Sequence, residues 1–222
     1  MIYIALFIAV IAGYGVSLIL NKGQVSKLPL LLAFSGAFLL ALTLFELLPE
    51  VYETPSKKIG VFIMAGILLQ ICLEFFSKGA EHGHVHLHGI EKTFPWLLFI
   101  SLSIHALLEG FPIADGHSIY IGVLIHKFPI AIILSLFFIK AKYSKSITLA
   151  FLLLFALMTP LGAFIAENTF ELKKYSIQIN AVVIGIFLHV STTILFESSK
   201  DHKFNFTKLA TIILGVLIAY FI

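Results

Sequence analysis

The sequence predicts an all-α, polytopic membrane protein: a bundle of eight transmembrane helices with both termini outside. Three observations predict it. The 222 residues are 59% hydrophobic and only 12% charged, with a mean hydropathy of +1.04, which leaves too little polar surface to cover a water-soluble globule. The apolar residues gather into eight runs, at about 2–20, 28–48, 59–77, 94–113, 118–139, 146–166, 176–197 and 206–222. Each run approaches the roughly 20 residues that a helix needs to cross about 30 Å of hydrocarbon. Because the runs are continuously apolar and do not alternate, a barrel is excluded, and each must satisfy its own backbone as a helix. Residues 1–222 therefore read as a single transmembrane domain.

The first run begins at Ile2 with no basic stretch before it and no small-residue cleavage site after it, so it is expected to be a membrane helix and not a cleaved signal. The second ends in Phe45-Glu46-Leu-Leu-Pro49-Glu50, where Glu46 and Glu50 are candidate entrance residues that concentrate cations at an outer mouth. The third contains Cys72, the single cysteine, and ends near Glu74; the first is read as packing and the second as interfacial. The loop over 78–93 carries His82-Gly-His84-Val-His86-Leu-His88, four imidazoles at alternate positions that suit capture of a divalent transition metal. The fourth and fifth runs are joined by the short Asp115-Gly116-His117 turn, and the sixth contains Thr159-Pro160-Leu-Gly162. In the seventh, His189 and Glu197 are candidate path residues. Its Gly185-Ile-Phe187-Leu188 echoes Gly36-Ala-Phe38-Leu39 of the second, with Thr192 and Thr43 at matching offsets, as in an inverted repeat.

Lysine placement sets the expected orientation, because basic residues accumulate in cytoplasmic loops. Odd-numbered loops hold Lys22 and Lys27; Lys78 and Lys92; Lys140, Lys142 and Lys145; Lys200, Lys203 and Lys208. Even-numbered loops hold only Lys57, Lys58, Lys173 and Lys174, and Lys127 lies inside a helix. The odd loops, including 78–93, are therefore expected in the cytoplasm. All fifteen basic residues are lysine, and the net charge of +3 follows from this topology.

Two polar clusters interrupt apolar runs near their centres: His105-Ala-Leu-Leu-Glu109-Gly110 and His126-Lys127-Phe-Pro129. Spacing of i and i+4 puts His105 and Glu109 on one helix face, and the antiparallel fifth helix brings His126 to the same depth. Ionisable groups in a membrane are costly and face the bundle interior or a water-filled path. Imidazole with carboxylate and no nearby thiolate suits Zn(II), Fe(II) or Mn(II), and three ligands instead of a closed set of four suit an exchangeable ion. Lys127 can snorkel or pair with a carboxylate such as Glu109, its cationic head a stand-in for a second metal ion. Pro112 and Pro129 are expected to disturb both helices beside the cluster. Ser101 and Ser103 are read as lying off the His105 and Glu109 face, so no nucleophile is placed for an intramembrane zinc-dependent hydrolase. That hydrolase and a non-transporting metal sensor are the competing readings.

On these motifs the chain resembles the ZIP (Zrt-, Irt-like) divalent-metal transporters: eight helices, a histidine-rich loop after the third, and signatures in the fourth and fifth. The Phe45-Glu46-Leu-Leu-Pro49-Glu50 and Thr159-Pro160-Leu-Gly162 stretches are similar as well. The resemblance implies that His105, Glu109 and His126 line a transport site, that metal moves into the cytoplasm, and that helices four and five move against a scaffold including two and seven. It implies a divalent metal as substrate, zinc foremost with iron or manganese, no organic cofactor and no enzymatic activity. Expected partners are metal ions and the lipid bilayer, with a homodimer as candidate assembly, no nucleic acid, and a bacterial inner membrane as location. Ala106 and Ile130 depart from the polar residue and the Glu found in many relatives, and with Lys127 they argue against a binuclear site: one metal bound more weakly, or a divergent member with altered specificity.

Overall fold

A computed structural model describes residues 1–20, 25, 27–53, 58–77, 93–116, 118–197 and 206–222, which form helices and short turns with no strand among them. The helices are α1 (Ile2–Ile19), α2 (Leu28–Glu53), α3 (Ile59–Ser77), α4 (Trp96–Leu108), α5 (Ile119–Lys140), α6 (Lys145–Asn168), α7 (Ser176–Glu197) and α8 (Phe206–Tyr220). A single turn, Phe170–Lys173, precedes α7. The stretches of α1 to α7 are each long and apolar enough to cross a membrane. The eighth is a 15-residue apolar helix, about 22 Å long at 1.5 Å per residue. The protein is an all-α, polytopic membrane bundle.

Burial follows helical spacing. In α1 the buried residues are Leu6, Ala9, Val10, Gly13 and Ser17, one stripe facing the protein, while Ile4, Ile8 and Leu18 are exposed. The same holds for α3, which exposes Val61, Met64 and Leu68. Large apolar side chains pointing outward are stable only against hydrocarbon. By contrast α2, α5 and α7 are buried over more than half their spans and form the centre.

Two packing units result. Helices α1, α4, α5 and α6 pack on one another, as do α2, α3, α7 and α8; α2 against α5 and α3 against α4 join the units. Small residues set how closely the backbones approach, as expected where helices associate without a hydrophobic drive. A Cβ on Gly66 of α3 would strike the Val182 carbonyl of α7, and one on Gly185 would strike the Ile63 carbonyl. Gly162 of α6 likewise leaves room for the Leu107 carbonyl of α4. The fourth helix is thus held by its backbone beside the polar cluster.

Local breaks differ from the expected boundaries. Helix α2 runs to Glu53, five residues beyond the expected end at 48, through a π-helical turn at Thr43–Leu47 in which the Leu48 amide donates to the Thr43 carbonyl. The turn lies just ahead of Pro49, whose ring would press on the Phe45 carbonyl in a regular helix; the wider turn relieves that clash and the helix continues. Near Pro112, α4 tightens: the Gly110 amide donates to Leu107 and the Phe111 amide to Leu108, each at 3.1 Å, leading into a 3-10 turn at Pro112–Asp115. Gly116 then takes φ +88°, a left-handed conformation that glycine adopts without penalty. Helix α5 continues through Pro129.

Candidate metal centre

The last turn of α4 supplies His105, the residue that caps its C-terminal end is Glu109, and the middle of α5 supplies His126 and Lys127. His105 Nε2 lies 3.0 Å from Glu109 Oε1, and His126 Nε2 lies 4.0 Å from the same oxygen. One ligand atom from each of these three residues falls within 4.8 Å of the other two. Lys127 Nζ lies 2.8 Å from the other carboxylate oxygen, Oε2, and 4.9 Å from the centre of the Phe155 ring. His105, Glu109, His126 and Lys127 are each no more than 4% exposed.

Burying four such groups in an apolar bundle is unfavourable unless each is paired. Here one carboxylate partners both an imidazole and an ammonium, with a different oxygen for each. A third contact comes from the opposite unit: Gln70 Oε1 of α3 lies 2.9 Å from His105 Nδ1. Since a carboxamide oxygen only accepts, Nδ1 carries the hydrogen and donates. His105 Nε2 faces Glu109 Oε1 at hydrogen-bond distance and donates to it; a metal taking the place of that hydrogen would meet two nitrogens and one oxygen, those of His105, His126 and Glu109. A cavity of about 10 Å³ lies among Leu102, His105, Glu109, His126, Lys127, Ile130 and Phe155, about the room that a single water molecule requires.

The departure positions lie in this wall. Ile130 contributes an apolar side to the cavity, and Ala106 is fully buried, its carbonyl accepting a 2.6 Å hydrogen bond from Thr159 Oγ1 of α6. Ser101 corrects the sequence reading. It was expected off the His105 face, yet it lies four residues before His105, hence on the same stripe, and it is buried.

The remaining candidates lie outside the cluster. Glu46 sits in the π-helical turn and Glu50 one turn further, both half-buried. His189 Nε2 of α7 pairs with Glu74 Oε2 of α3 at 2.6 Å, so Glu74, read as interfacial, has a partner across the helix interface. Glu197 is the last residue of α7. His82, His84, His86 and His88 lie outside the described residues. Sequence reasoning missed Gln70 altogether, although a signal existed: it is a strongly polar side chain in the apolar stretch Ile67-Leu-Leu-Gln70-Ile, one helical turn before Glu74.

An all-helical membrane bundle with a buried imidazole–carboxylate set defines a polytopic membrane protein built around a candidate cation site. Residues 77–222 match the family model described as ZIP zinc transporter, and the chain belongs to that family. A curated relative, zinc transporter ZIP1 of Danio rerio, is 29% identical over 132 residues, a stretch covering 56% of this chain and 44% of that protein. The chain thus spans less than half the length of that relative in the match. The family is one of transporters, not enzymes.

Proposed function

We propose that this chain moves a divalent transition metal, zinc foremost and iron or manganese as well, across the membrane into the cytoplasm through His105, Glu109 and His126. The observation that carries the reading is the convergence of two imidazole nitrogens and a carboxylate oxygen within 4.8 Å, all buried in a membrane bundle. Nitrogen and oxygen donors without thiolate favour borderline ions such as Zn(II). Three donors leave coordination positions open, which suits an ion that must depart.

Lys127 occupies the far side of Glu109 and takes the place of a second metal, so the site holds one ion. Glu46 and Glu50 form the entrance. The Glu74–His189 pair, with Glu197 beyond it, lines the path toward the 78–93 loop, whose His82, His84, His86 and His88 receive metal in the cytoplasm. The lysine distribution supports this orientation, with both termini outside and residues 1–222 forming one membrane domain. A homodimer in a bacterial inner membrane is the proposed setting, and the amount of exposed apolar surface on every outer helix fits a protein surrounded by lipid.

The test is uptake of Zn(II), Fe(II), Mn(II) and Cd(II) into proteoliposomes holding only the purified protein. Saturable uptake that disappears in His105→Ala/Glu109→Ala is expected. Undiminished uptake by that double variant would overturn the site.

A further inference from the structure

The contact between His105 and Gln70 crosses between the two packing units. His105 belongs to α4, with Glu109 at its C-terminal cap, and His126 and Lys127 to α5, all in one unit; Gln70 belongs to α3, in the other. Gln70 is fully buried, and its Oε1 lies 2.9 Å from His105 Nδ1. We infer that Gln70 is a positioning residue for the metal centre, fixing the tautomer and ring orientation of His105 from the opposite unit. This deepens the reading of His105 as a ligand and rests on it.

An imidazole free to choose would place its hydrogen on either nitrogen, and only hydrogen on Nδ1 lets Nε2 bind a metal beside Glu109 Oε1, 3.0 Å away. An oxygen acceptor at Nδ1 selects that tautomer. It also restricts rotation of the ring, because the hydrogen bond must be broken for the ring to turn. Partners of this kind behind a metal-bound imidazole alter affinity by about 10–100-fold when removed. The position of Gln70 adds a consequence that an orienting group on α4 or α5 would not have. Metal affinity at His105 depends on how α3 packs against α4, and by reciprocity metal occupancy favours the packing in which that contact is made.

Two substitutions separate orientation from space filling. Gln70→Met keeps the length and apolar volume and removes the acceptor; Gln70→Glu keeps an oxygen acceptor at the same reach. By calorimetric titration of the detergent-solubilised protein with Zn(II), the Met variant is expected to bind about 10–100-fold more weakly at unchanged stoichiometry, and the Glu variant to bind within a few-fold of wild type. Met binding like wild type would overturn the inference. If either variant fails to fold, the wild-type protein decides it: imidazole nitrogen shifts of labelled histidine, assigned to His105 by comparison with His105→Ala, are expected to report hydrogen on Nδ1, and an Nδ1 without hydrogen would overturn it. Absence of Zn(II) binding by wild type would remove the metal reading instead, while the tautomer measurement still tests Gln70.

Discussion

Lys127 Nζ lies 2.8 Å from Oε2 of Glu109, while the other oxygen of the same carboxylate faces His105 Nε2 at 3.0 Å. The carboxylate therefore already has a cation on one side before any metal arrives on the other. Unit charges about 4 Å apart interact by about 4 kcal/mol at an effective dielectric near 20, and the charge on a metal is twice that. Replacing Lys127 by Met is expected to raise Zn(II) affinity at least ~10-fold. The metal-free variant should melt earlier, since removing one partner of a buried pair costs about 3–5 kcal/mol, and saturating Zn(II) should restore most of the loss. Calorimetric titration and thermal melts check both halves; unchanged affinity would mean that Lys127 does not oppose the ion.

Reversing the charge goes further. Lys127→Glu puts a second carboxylate beside Oε2 of Glu109, and two adjacent carboxyl groups stay ionised together when a metal cation lies between them and otherwise share a proton. Two Zn(II) per chain are expected where wild type binds one, counted by equilibrium dialysis with metal analysis. A stoichiometry fixed at one would show that Ile130 and Ala106, not Lys127, restrict the second position.

Glu109 is the shared partner of His105, His126 and Lys127, so its loss affects fold and binding together. Glu109→Gln is expected to abolish saturable Zn(II) uptake and to destabilise the protein by about 3–5 kcal/mol, because Lys127 is left as an uncompensated buried charge. Adding Lys127→Met removes that charge. The double variant should recover the wild-type melting temperature in metal-free buffer and still bind no metal, separating the two roles in one cycle.

The parts of this architecture that follow from solvent were legible in the sequence. Lipid requires long apolar helices, and α1, α3 and α5 to α7 lie close to the runs read from hydropathy. The i,i+4 spacing of His105 and Glu109 is a property of one helix and needed no tertiary information. The π-helical turn at Thr43–Leu47 was not legible, because it is a local answer to Pro49 that depends on whether packing keeps the helix going beyond it. Nor was Gln70: its polarity stands out in α3, but its partner is 35 residues away on α4, and only the docking of two helices brings them together. Ser101 was misplaced by a face assignment that its own spacing from His105 contradicts.

The pair of Glu74 and His189 lies on α3 and α7, one turn of α3 beyond Gln70, with Nε2 and Oε2 at 2.6 Å. Both side chains are metal-ligand types, both are about one-fifth exposed, and neither belongs to the central cluster. An ion leaving the centre along this route would exchange the imidazole–carboxylate contact for contacts to itself. Glu74→Gln and His189→Ala are therefore expected to lower the maximal uptake rate roughly tenfold, about 1.4 kcal/mol of barrier, while the Kd for Zn(II) at the central site stays within about twofold, as separate sites without shared partners behave additively. Uptake assays and titration on the same preparations distinguish the cases. If rate and affinity both hold, the pair only ties α3 to α7. If affinity falls with the rate, it acts through Gln70 on the centre. A fall in rate alone identifies the pair as a step that follows binding, because only a residue used after the ion is bound changes the one quantity without the other.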